Sequence, residues 1–407
     1  MKYIFYGAGG YAQEYFDNFR KQYEPFCFVD QAAKEGQILF GLPVLPPSVM
    51  LYQYSDMPII ITCNPAYGKL DVQDYLVREL GIAPTRIINY EPYRYTTSCA
   101  TLENTVLIFK DRISICCNGA GRNPSPYAFF SVSSPTEKIK VYRVLREAIK
   151  NALEMGRECA CSGCPYLEKR AVALNQRPLT DVAVNFAHTC NLKCSYCNSK
   201  SDKTEAINIL AYSELLQEMK RSGLIDATTQ LTLASGEISI HSSRREIFDM
   251  LKEFQCTVFS NCVLFDDLLS DFLATGNKVL NCSVDAGTRE TYAMIKGANC
   301  FERVLENLRS YSLHGKIILK YIFIEDVNDN NKDVDAFIRL CRELNPIYTQ
   351  ISRDRFNPSP ISNNMMNQMA RMFIEAPNAQ PIRDSLTNDE IICINSTAKQ
   401  MIKNKQK

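Results

Sequence analysis

The segment DVAVNFAHTCNLKCSYC, residues 181–197, joins a short apolar strand to a loop with three cysteines. The strand is predicted at 181–187, and five more apolar stretches follow it along the chain. They are predicted at 229–234, 256–260, 279–284, 317–324 and 347–351, with helical segments such as 212–223 and 301–313 between them. Strands that alternate with helices predict an α/β fold with a parallel sheet. Six repeats predict a partial (β/α)6 barrel, whose site lies at the carboxyl ends of its strands.

The loop after the first of these strands carries Cys190, Cys194 and Cys197. Thiolates are the usual protein ligands of iron–sulfur clusters, and a loop allows three of them to converge. A cubane contains four irons, so three cysteines leave one iron open, as a catalytic metal site requires. The alternative is a structural zinc site. Zinc needs a fourth ligand close by, and His188 is the candidate.

The Cx3CxxC spacing, with the aromatic Tyr196 before the last cysteine, resembles the signature of the radical S-adenosylmethionine (SAM) superfamily. Three further segments resemble motifs of that family and follow in the family's order. They are Ala234-Ser-Gly-Glu237, similar to Gly-Gly-Glu with Ser235 at the first glycine; Ser260-Asn-Cys262, similar to Thr-Asn-Gly; and Ser283-Val-Asp-Ala-Gly287, similar to the family's fourth strand end. The resemblance covers about residues 180–355.

This resemblance implies a radical SAM barrel and its chemistry. The open iron of a [4Fe–4S] cluster held by Cys190, Cys194 and Cys197 would chelate the amino and carboxylate groups of SAM. One electron, from a donor such as flavodoxin or ferredoxin, would then release methionine and a 5′-deoxyadenosyl radical that abstracts a substrate hydrogen. The SAM-binding residues that the motifs imply are Ser235, Gly236, Glu237, Asn261, Ser283 and Asp285.

A second group of cysteines precedes the barrel segment. Its members are Cys116, Cys117, Cys159, Cys161 and Cys164. A cysteine pair and a CxxC can close a site of four thiolates, which suits either zinc or a fully ligated iron–sulfur cluster. The stretches at 113–119 and 161–165 resemble the auxiliary-cluster domain called SPASM, which implies an auxiliary [4Fe–4S] cluster. Zinc and the absence of any metal remain open alternatives.

A glycine turn, Gly7-Ala-Gly-Gly-Tyr-Ala12, fits G-x-G-x-x-A between a strand at 2–6 and a helical stretch. Further strands at 26–30 and 58–62 predict a Rossmann-like parallel sheet. The backbone amides at the helix start could bind a phosphate, and Asp30 has about the spacing of an acid that meets a ribose hydroxyl. The candidate nucleotide-binding residues are Gly7, Gly9, Gly10 and Asp30. A turn that binds nothing is the alternative.

Two other stretches extend the resemblance of this first segment. Together with the glycine turn, Phe28-Val-Asp30 and Gly41-Leu-Pro-Val44 resemble the N-terminal domain of sugar O-acyltransferases over about ninety residues. That family binds nucleotide-linked amino sugars there. The resemblance therefore implies a nucleotide-linked sugar as the ligand of this segment.

Composition excludes several classes of protein. The chain has 407 residues, with 46 basic and 45 acidic, so it lacks the basic excess of a nucleic-acid-binding protein. No apolar run reaches the length of a membrane span, and the first residues lack the features of a signal peptide. Seventeen cysteines without an export signal indicate metal or redox chemistry rather than disulfides. We therefore expect a cytoplasmic protein that binds neither nucleic acid nor membrane.

These observations predict a radical SAM enzyme that acts on a small molecule. The resemblance of the first segment implies that this molecule is a sugar or glycan precursor. Four segments are expected. They are a Rossmann-like domain at 1–92, a SPASM-like cluster segment at 93–178, the radical SAM barrel at 179–360 and a helical extension at 361–407. Two alternatives stay open: a SPASM-type peptide-modifying maturase, and a zinc-dependent binding protein without catalysis.

Overall fold

The computed structural model describes thirteen stretches of the chain, which form two compact units. The stretches are 1–9, 12–13, 15–63, 69–109, 112–116, 127–129, 134–174, 178–185, 189–197, 209–233, 236–354, 359–382 and 385–405. The first unit comprises Met1–Thr105, Ile115–Pro126 and Arg143–Thr180. The second comprises Val106–Ser114, Tyr127–Tyr142 and Asp181–Lys407.

The first unit is built on a five-stranded sheet with the order β3-β4-β2-β1-β5. Its strands are β1 (Lys2–Tyr6), β2 (Glu24–Val29), β3 (Ile38–Leu39), β4 (Leu42–Leu45) and β5 (Ile59–Ile61). β1 pairs in parallel with β2 and β5, and β2 pairs in parallel with β4; only the short β3 runs antiparallel to its neighbour. This arrangement confirms the predicted parallel sheet.

Both faces of that sheet are covered. Ile4 and Tyr6 of β1 belong to one apolar cluster, and Phe5 between them belongs to another. Successive side chains of a strand point to opposite faces, so the two clusters lie on opposite sides of the sheet. The helices that accompany the sheet are α1 (Phe16–Gln22), α2 (Val49–Tyr52) and α3 (Lys69–Asp74), with a π turn at Tyr75–Glu79 and a 3-10 turn at Pro84–Arg86.

The rest of the first unit contains a two-stranded sheet. β6 (Tyr93–Ser98) pairs antiparallel with β10 (Glu168–Ala173), and the short helix α4 (Ala100–Asn104) follows β6. A long helix, α5 (Pro135–Glu154), contains the point in the sequence where the first unit's last stretch begins, at Arg143.

The second unit is built on a ten-stranded sheet, of which seven consecutive strands are parallel. The parallel strands are β11 (Asp181–Val184), β12 (Gln230–Leu233), β13 (Gln255–Phe259), β14 (Lys278–Ser283), β15 (Lys316–Phe323), β16 (Tyr348–Arg353) and β17 (Ala379–Pro381). The first six are the strands that the sequence predicts, and together with their helices they form the partial barrel. β7 (Thr105–Ile108), β8 (Arg112–Ser114) and β9 (Tyr127–Phe129) extend the sheet beyond β11.

Helices connect the parallel strands. They are α6 (Ile209–Arg221), α7 (Arg244–Leu251), α8 (Asp267–Ala274), α9 (Arg289–Lys296), α10 (Phe301–His314) and α11 (Asn331–Leu344), with α12 (Asn363–Glu375) and α13 (Asn388–Lys405) after β16. The short β17 lies between α12 and α13, in a stretch where the sequence predicted helices alone. The division of the chain at 92, 178 and 360 stays a prediction.

Side chains of the parallel strands alternate between two environments. On β12, Leu231 and Leu233 are buried, whereas Gln230 and Thr232 are half-buried. β13 repeats the pattern, with Val258 buried and its neighbours half-buried. The buried face packs against the connecting helices, so the half-buried face lines the interior of the barrel. The interior is therefore partly open and partly polar.

No helix in the described stretches is both long enough and apolar enough to cross a membrane.

Candidate functional site

The three-cysteine loop is attached to the end of α9. The amide of Ser195 donates to the carbonyl of Ile295 at 2.8 Å, and that of Lys193 donates to the carbonyl of Lys296 at 3.2 Å. The next residue, Gly297, has φ +68°, and a Cβ there would lie 3.0 Å from the Lys193 carbonyl. A glycine is needed because the backbone is left-handed and the loop approaches closely. The loop is thus held by backbone contacts that do not depend on a metal.

The three thiols are close enough to influence one another's ionisation. The charge of Cys197 acts to raise the pKa of Cys190 and that of Cys194, and the charge of Cys190 also acts to raise the pKa of Cys194. Burial raises the pKa of the Cys190 thiol, and it raises the pKa of Cys194 to about 11. Burial of a thiol disfavours the thiolate, and a bound metal reverses that preference.

Three cysteines on one loop are the number of ligands that a [4Fe–4S] cluster with one open iron requires. Within the described stretches, no group of three His, Cys, Asp or Glu side chains has the arrangement of a site for a metal ion. The cluster on these cysteines stays a prediction. His188, the fourth ligand of the alternative zinc site, lies outside the described residues.

Glu237 forms hydrogen bonds that connect the segments after β11, β12 and β13. It is 1% exposed, and its Oε1 accepts hydrogen bonds from the Ser239 amide at 3.1 Å and from the Ser239 and Ser260 hydroxyls, both at 2.8 Å. Its Oε2 accepts from the Asn261 amide at 2.6 Å, and its own amide donates to the Thr189 carbonyl at 2.8 Å. Burial raises the pKa of Glu237, and these donors oppose that rise. The carboxylate braces the loops; its contact with SAM stays a prediction.

The structure describes only one of the two residues before Glu237. Gly236 has φ +65°, a conformation that favours glycine. Ser235, which replaces the family's first glycine, lies outside the described residues.

Asn261 reaches the cysteine loop from the end of β13. Its Nδ2 donates to the Cys190 sulfur at 3.6 Å and to the Asn191 side-chain oxygen at 2.6 Å. The Leu192 amide donates to the same sulfur at 3.5 Å. The structure thus shows Asn261 as a donor to the Cys190 sulfur, and its predicted contact with SAM stays a prediction. Hydrogen bonds to cluster sulfurs are one of the determinants of reduction potential.

We expect Asn261→Leu to make the reduction potential of the cluster more negative. A donor near a thiolate stabilises the reduced, more negative cluster, and leucine removes that donor at similar size. Redox titration followed by electron paramagnetic resonance measures the shift. Asn299→Leu is the control, because Asn299 is exposed and its side chain accepts from Arg289. An unchanged potential in Asn261→Leu would refute the role of this amide.

Asp285 lies at the centre of a buried cluster of polar groups. It is fully buried with φ +60°, and its Oδ1 accepts from the Ile322 amide at 2.7 Å. Its Oδ2 accepts from the Tyr196 hydroxyl at 2.6 Å and from Lys296 Nζ at 2.5 Å, and Lys296 also donates to Tyr196 at 2.7 Å. The protein therefore already occupies both oxygens. The predicted bond from Asp285 to SAM stays a prediction, and Ser283, half-buried two residues earlier, is also untested as a SAM ligand.

Lys296 is a residue that the sequence analysis missed. Burial acts to lower its pKa, but the charges of Asp285 and Cys194 outweigh burial, and the net pKa is raised. A buried ammonium group thus stays protonated beside a thiol of the cysteine loop. A lysine at a helix end is ordinarily explained by the helix dipole, so the sequence carried no signal for this pair.

The second cysteine group is only partly described. The Ser162 amide donates to the Cys159 carbonyl and the Cys164 amide donates to the Cys161 carbonyl, both at 3.0 Å, so the CxCxxC segment is two successive turns. Cys161 is buried, whereas Cys116, Cys159 and Cys164 are half-buried. Cys117 lies outside the described residues. Whether this group binds a cluster, zinc or nothing stays a prediction.

Cys99 is a further thiol in the same unit that the sequence analysis did not single out. It follows Ser98, which pairs with Glu168 four residues after Cys164. Its sulfur accepts from the Leu102 amide at 3.4 Å and caps α4. Only the antiparallel pairing of β6 with β10 brings it near the CxCxxC segment.

The glycine turn of the first unit is closed by Asp30. Asp30 Oδ2 accepts from the Ala8 amide and Oδ1 accepts from the Ala32 amide, both at 2.8 Å. Gly7 has φ +109°, and a Cβ there would lie 2.7 Å from the Cys63 sulfur. A Cβ on Gly9 would meet no atom of the described residues within 4 Å. Asp30 thus holds the turn instead of pointing away from it, and Gly10 lies outside the described residues.

The place of this turn in the sheet is one where ligands bind in other α/β proteins. β2 lies on one side of β1 and β5 on the other, so the strand order reverses at β1. At this edge the Tyr6 hydroxyl is buried and makes no hydrogen bond with the described residues; Gln31 is nearby but outside bonding geometry. Burial raises the pKa of Tyr6, so the group is a neutral hydroxyl.

Comparison with known proteins identifies the class of the second unit. Residues 184–341 match the family model described as "Radical SAM superfamily". The chain is similar to a "Probable GTP 3',8-cyclase" of Saccharolobus islandicus, with 28% identity over 171 residues, 41% of this chain and 54% of the relative. A protein of the same description from Metallosphaera sedula is 23% identical over 174 residues, 41% of this chain and 53% of the relative. The chain spans about half the length of the curated relatives it matches.

Solved structures with some likeness to the chain are more remote. The Streptococcus suis SuiB structure bound to S-adenosylmethionine has a TM-score of 0.42 and 10% identity, and covers 62% of this chain and 56% of that one. The structure of HydG, "a maturase of the [FeFe]-hydrogenase", has a TM-score of 0.41 and 14% identity, and covers 54% of this chain and 55% of that one.

Residues 184–341 therefore match the radical SAM family. The cofactors of this family are a [4Fe–4S] cluster and SAM, as the sequence predicted.

Proposed function

We propose that Cys190, Cys194 and Cys197 hold the [4Fe–4S] cluster and that the enzyme modifies a sugar or glycan precursor carried as a nucleotide-linked sugar. The observation that carries the first part is the hydrogen bond from the Asn261 side-chain amide to the sulfur of Cys190, on a loop whose three thiols interact electrostatically. When bound, the cluster and SAM supply the electron and the 5′-deoxyadenosyl radical that takes a hydrogen from the substrate. An external one-electron donor must reduce the cluster.

The residues of the chain contribute positioning to this reaction. Glu237 fixes the ends of β12 and β13 against the start of the cysteine loop. Asp285 fixes the end of β14 against Tyr196 and against β15. These braces hold the strand ends around one opening, where a molecule bound at the open iron would lie against the barrel interior.

Support for a nucleotide-linked substrate comes from the first unit. Its glycine turn lies where the strand order reverses, and the space next to Gly9 is open. The buried Tyr6 hydroxyl at the same edge lacks a partner among the described residues. An unsatisfied buried hydroxyl is costly, and a ligand hydroxyl or carbonyl would satisfy it.

Deuterium transfer tests the substrate class directly. The anaerobically reconstituted enzyme would be given SAM, a reductant and one of three groups of compounds: nucleotide sugars, GTP, or short peptides. A substrate prepared in deuterated form passes deuterium into 5′-deoxyadenosine when the radical acts on it. Transfer from a nucleotide sugar alone supports the proposal. Transfer from GTP or a peptide, with none from any nucleotide sugar, would contradict the proposal and identify that compound class as the substrate instead.

The glycine turn gives an independent test. We expect Gly9→Val to weaken nucleotide-sugar binding while uncoupled SAM cleavage stays unchanged, because the new methyl groups fill the open space beside the turn. Calorimetry measures the binding. The control is Gly7→Ala, which should lower stability instead, since its Cβ would collide with Cys63 at a left-handed position. Equal binding by wild type and Gly9→Val would make the turn structural.

A further inference from the structure

A pair of amide side chains lies inside the barrel. Asn281 Nδ2 on β14 donates to Gln350 Oε1 on β16 at 3.0 Å. Asn281 pairs in register with Ile318 of β15, which pairs with Tyr348 of β16, and Gln350 stands two residues beyond Tyr348. Residues in register, and residues two apart, share a face of a sheet. Both amides are therefore on the same face.

The opposite face of β14 belongs to the helical layer. Lys278 donates to the carbonyls of Lys252 and Phe254 at 3.0 and 2.5 Å, and its ammonium lies 5.1 Å from the ring centre of Phe272 on α8. Since helices cover the outside of the barrel, Lys278 points outward. Asn281, three residues later, points inward.

One atom of this pair has no partner. Asn281 is 1% exposed, yet its Oδ1 makes no hydrogen bond with any described residue. An unpaired buried acceptor costs about 1–3 kcal/mol, so such atoms in native proteins generally serve water or a ligand. Exchanging oxygen and nitrogen in both amides keeps their mutual bond and leaves a donor unpaired instead. A hydroxyl group suits either arrangement because it both donates and accepts.

Polar groups lie in the row of Gln350, one row nearer the strand ends than Asn281. Ser283 of β14, Lys320 of β15 and Gln350 of β16 stand side by side in register, and all three are half-buried. This row combines a hydroxyl, an ammonium and an amide on the inner face. Its chemistry matches a small molecule that carries both hydroxyl groups and a negative charge.

Asn281 lies deeper than the strand ends. It precedes Ser283, the last residue of β14, by two residues, which places it about 7 Å further along the strand toward the floor of the barrel. A substrate that enters at the strand ends would present its far end to Asn281.

We propose that Asn281 and Gln350, with Ser283 and Lys320 in register with Gln350, form a subsite for a hydroxyl group of an anionic monosaccharide. The subsite fixes how far the substrate enters and thereby which hydrogen faces the radical. This inference rests on the proposed function, because it takes the barrel interior as the place of the sugar.

The test uses α-D-glucose 1-phosphate and its monodeoxy analogues as probes. Their binding to the reconstituted enzyme with SAM is followed anaerobically by saturation-transfer nuclear magnetic resonance. The wild type should bind the parent sugar, and one deoxy analogue should bind about tenfold to a hundredfold more weakly. Asn281→Leu should bind the parent sugar as weakly as that analogue and should no longer distinguish the two. The matched control is Gln230→Leu, on the same face, whose amide is bonded to Thr257 at 3.0 Å.

The outcomes separate the subsite from the proposed function. No binding of the parent sugar by the wild type overturns the subsite, and so does unchanged binding by Asn281→Leu. If Asn281→Leu weakens the binding of the parent sugar and of every analogue by the same factor, the subsite is also overturned, since such a loss would reflect general damage to the protein. Binding of the deoxy analogues to the wild type tests the subsite even if the Asn281→Leu variant does not fold. If the sugar phosphate binds as expected but no nucleotide sugar passes deuterium to 5′-deoxyadenosine, the proposed function fails and the subsite stands.

Discussion

Replacing Cys190, Cys194 and Cys197 together by alanine is expected to remove about four irons per chain and to abolish the formation of 5′-deoxyadenosine. The three thiols come from one loop and interact with one another. Since SAM cleavage needs an electron from their cluster, the reaction stops at its first step. Iron and sulfide analysis, with chromatography of 5′-deoxyadenosine, measures both effects after anaerobic reconstitution.

The matched control is Cys393→Ala. Cys393 is exposed on α13, and its loss should change neither the iron content nor SAM cleavage. If the triple variant still cleaved SAM at the wild-type rate, the cysteine loop would not be the site of the cluster.

The iron that remains in the triple variant reports on the second cysteine group. We propose an auxiliary [4Fe–4S] cluster there, so roughly four irons should remain. Because four thiolates leave no open iron, the paramagnetic spectrum of the reduced residual cluster should not change when SAM is added. One zinc and no iron would instead indicate a structural metal site. The absence of any metal would contradict the proposal for this segment.

The second large effect is expected from the buried ion pair behind the cysteine loop. Lys296→Met leaves the Asp285 carboxylate buried without its cation, and the expected loss of stability is about 3–5 kcal/mol. Chemical denaturation measures the shift in midpoint, and iron retention after reconstitution should fall in parallel, since Tyr196 of the loop shares the pair.

Two comparisons isolate the buried charge as the cause. The double variant Lys296→Met with Asp285→Asn removes both charges and should recover part of the stability. Arg309→Met breaks an exposed pair with Glu343 and should cost less than about 1 kcal/mol. A cost for Lys296→Met as small as that for Arg309→Met would mean that the pair does not hold the loop.

The parallel strands of the barrel could be predicted because each is a short apolar run between helical segments. Predicted stretches such as 256–260 and 279–284 coincide closely with β13 and β14. The cysteine loop could be found because its three ligands are close in sequence. β17 could not, because three residues, Ala379–Pro381, are too few to show a periodic pattern.

The hydrogen bonds that position the site could not be predicted from the sequence because their partners are distant along the chain. Tyr196 and Asp285 are 89 residues apart, and Asn261 and Cys190 are 71 apart. Nothing in the neighbourhood of any of these residues indicates which contact it makes. Asp30 shows the same limit at short range, since its spacing from the glycine turn does not reveal whether its carboxylate faces a ligand or the turn itself.

One position shows how far a motif can depart from its family. Cys262 occupies the place of the glycine in Thr-Asn-Gly and has φ +56°, a conformation that glycine adopts without strain and other residues rarely adopt. It is fully buried, and the Asn307 amide donates to its carbonyl at 2.9 Å. The fold keeps the backbone geometry of the motif although the residue that favours it is gone.

The attachment of the cysteine loop to α9 and to Asp285 also bears on how the enzyme matures. Ser195 and Lys193 bond to the end of α9, and Tyr196 bonds to Asp285. None of these bonds uses a cysteine thiol, so we expect them to restrain the loop before a cluster is delivered to it. Amide hydrogen exchange at Ser195 should accordingly be slow before iron is supplied.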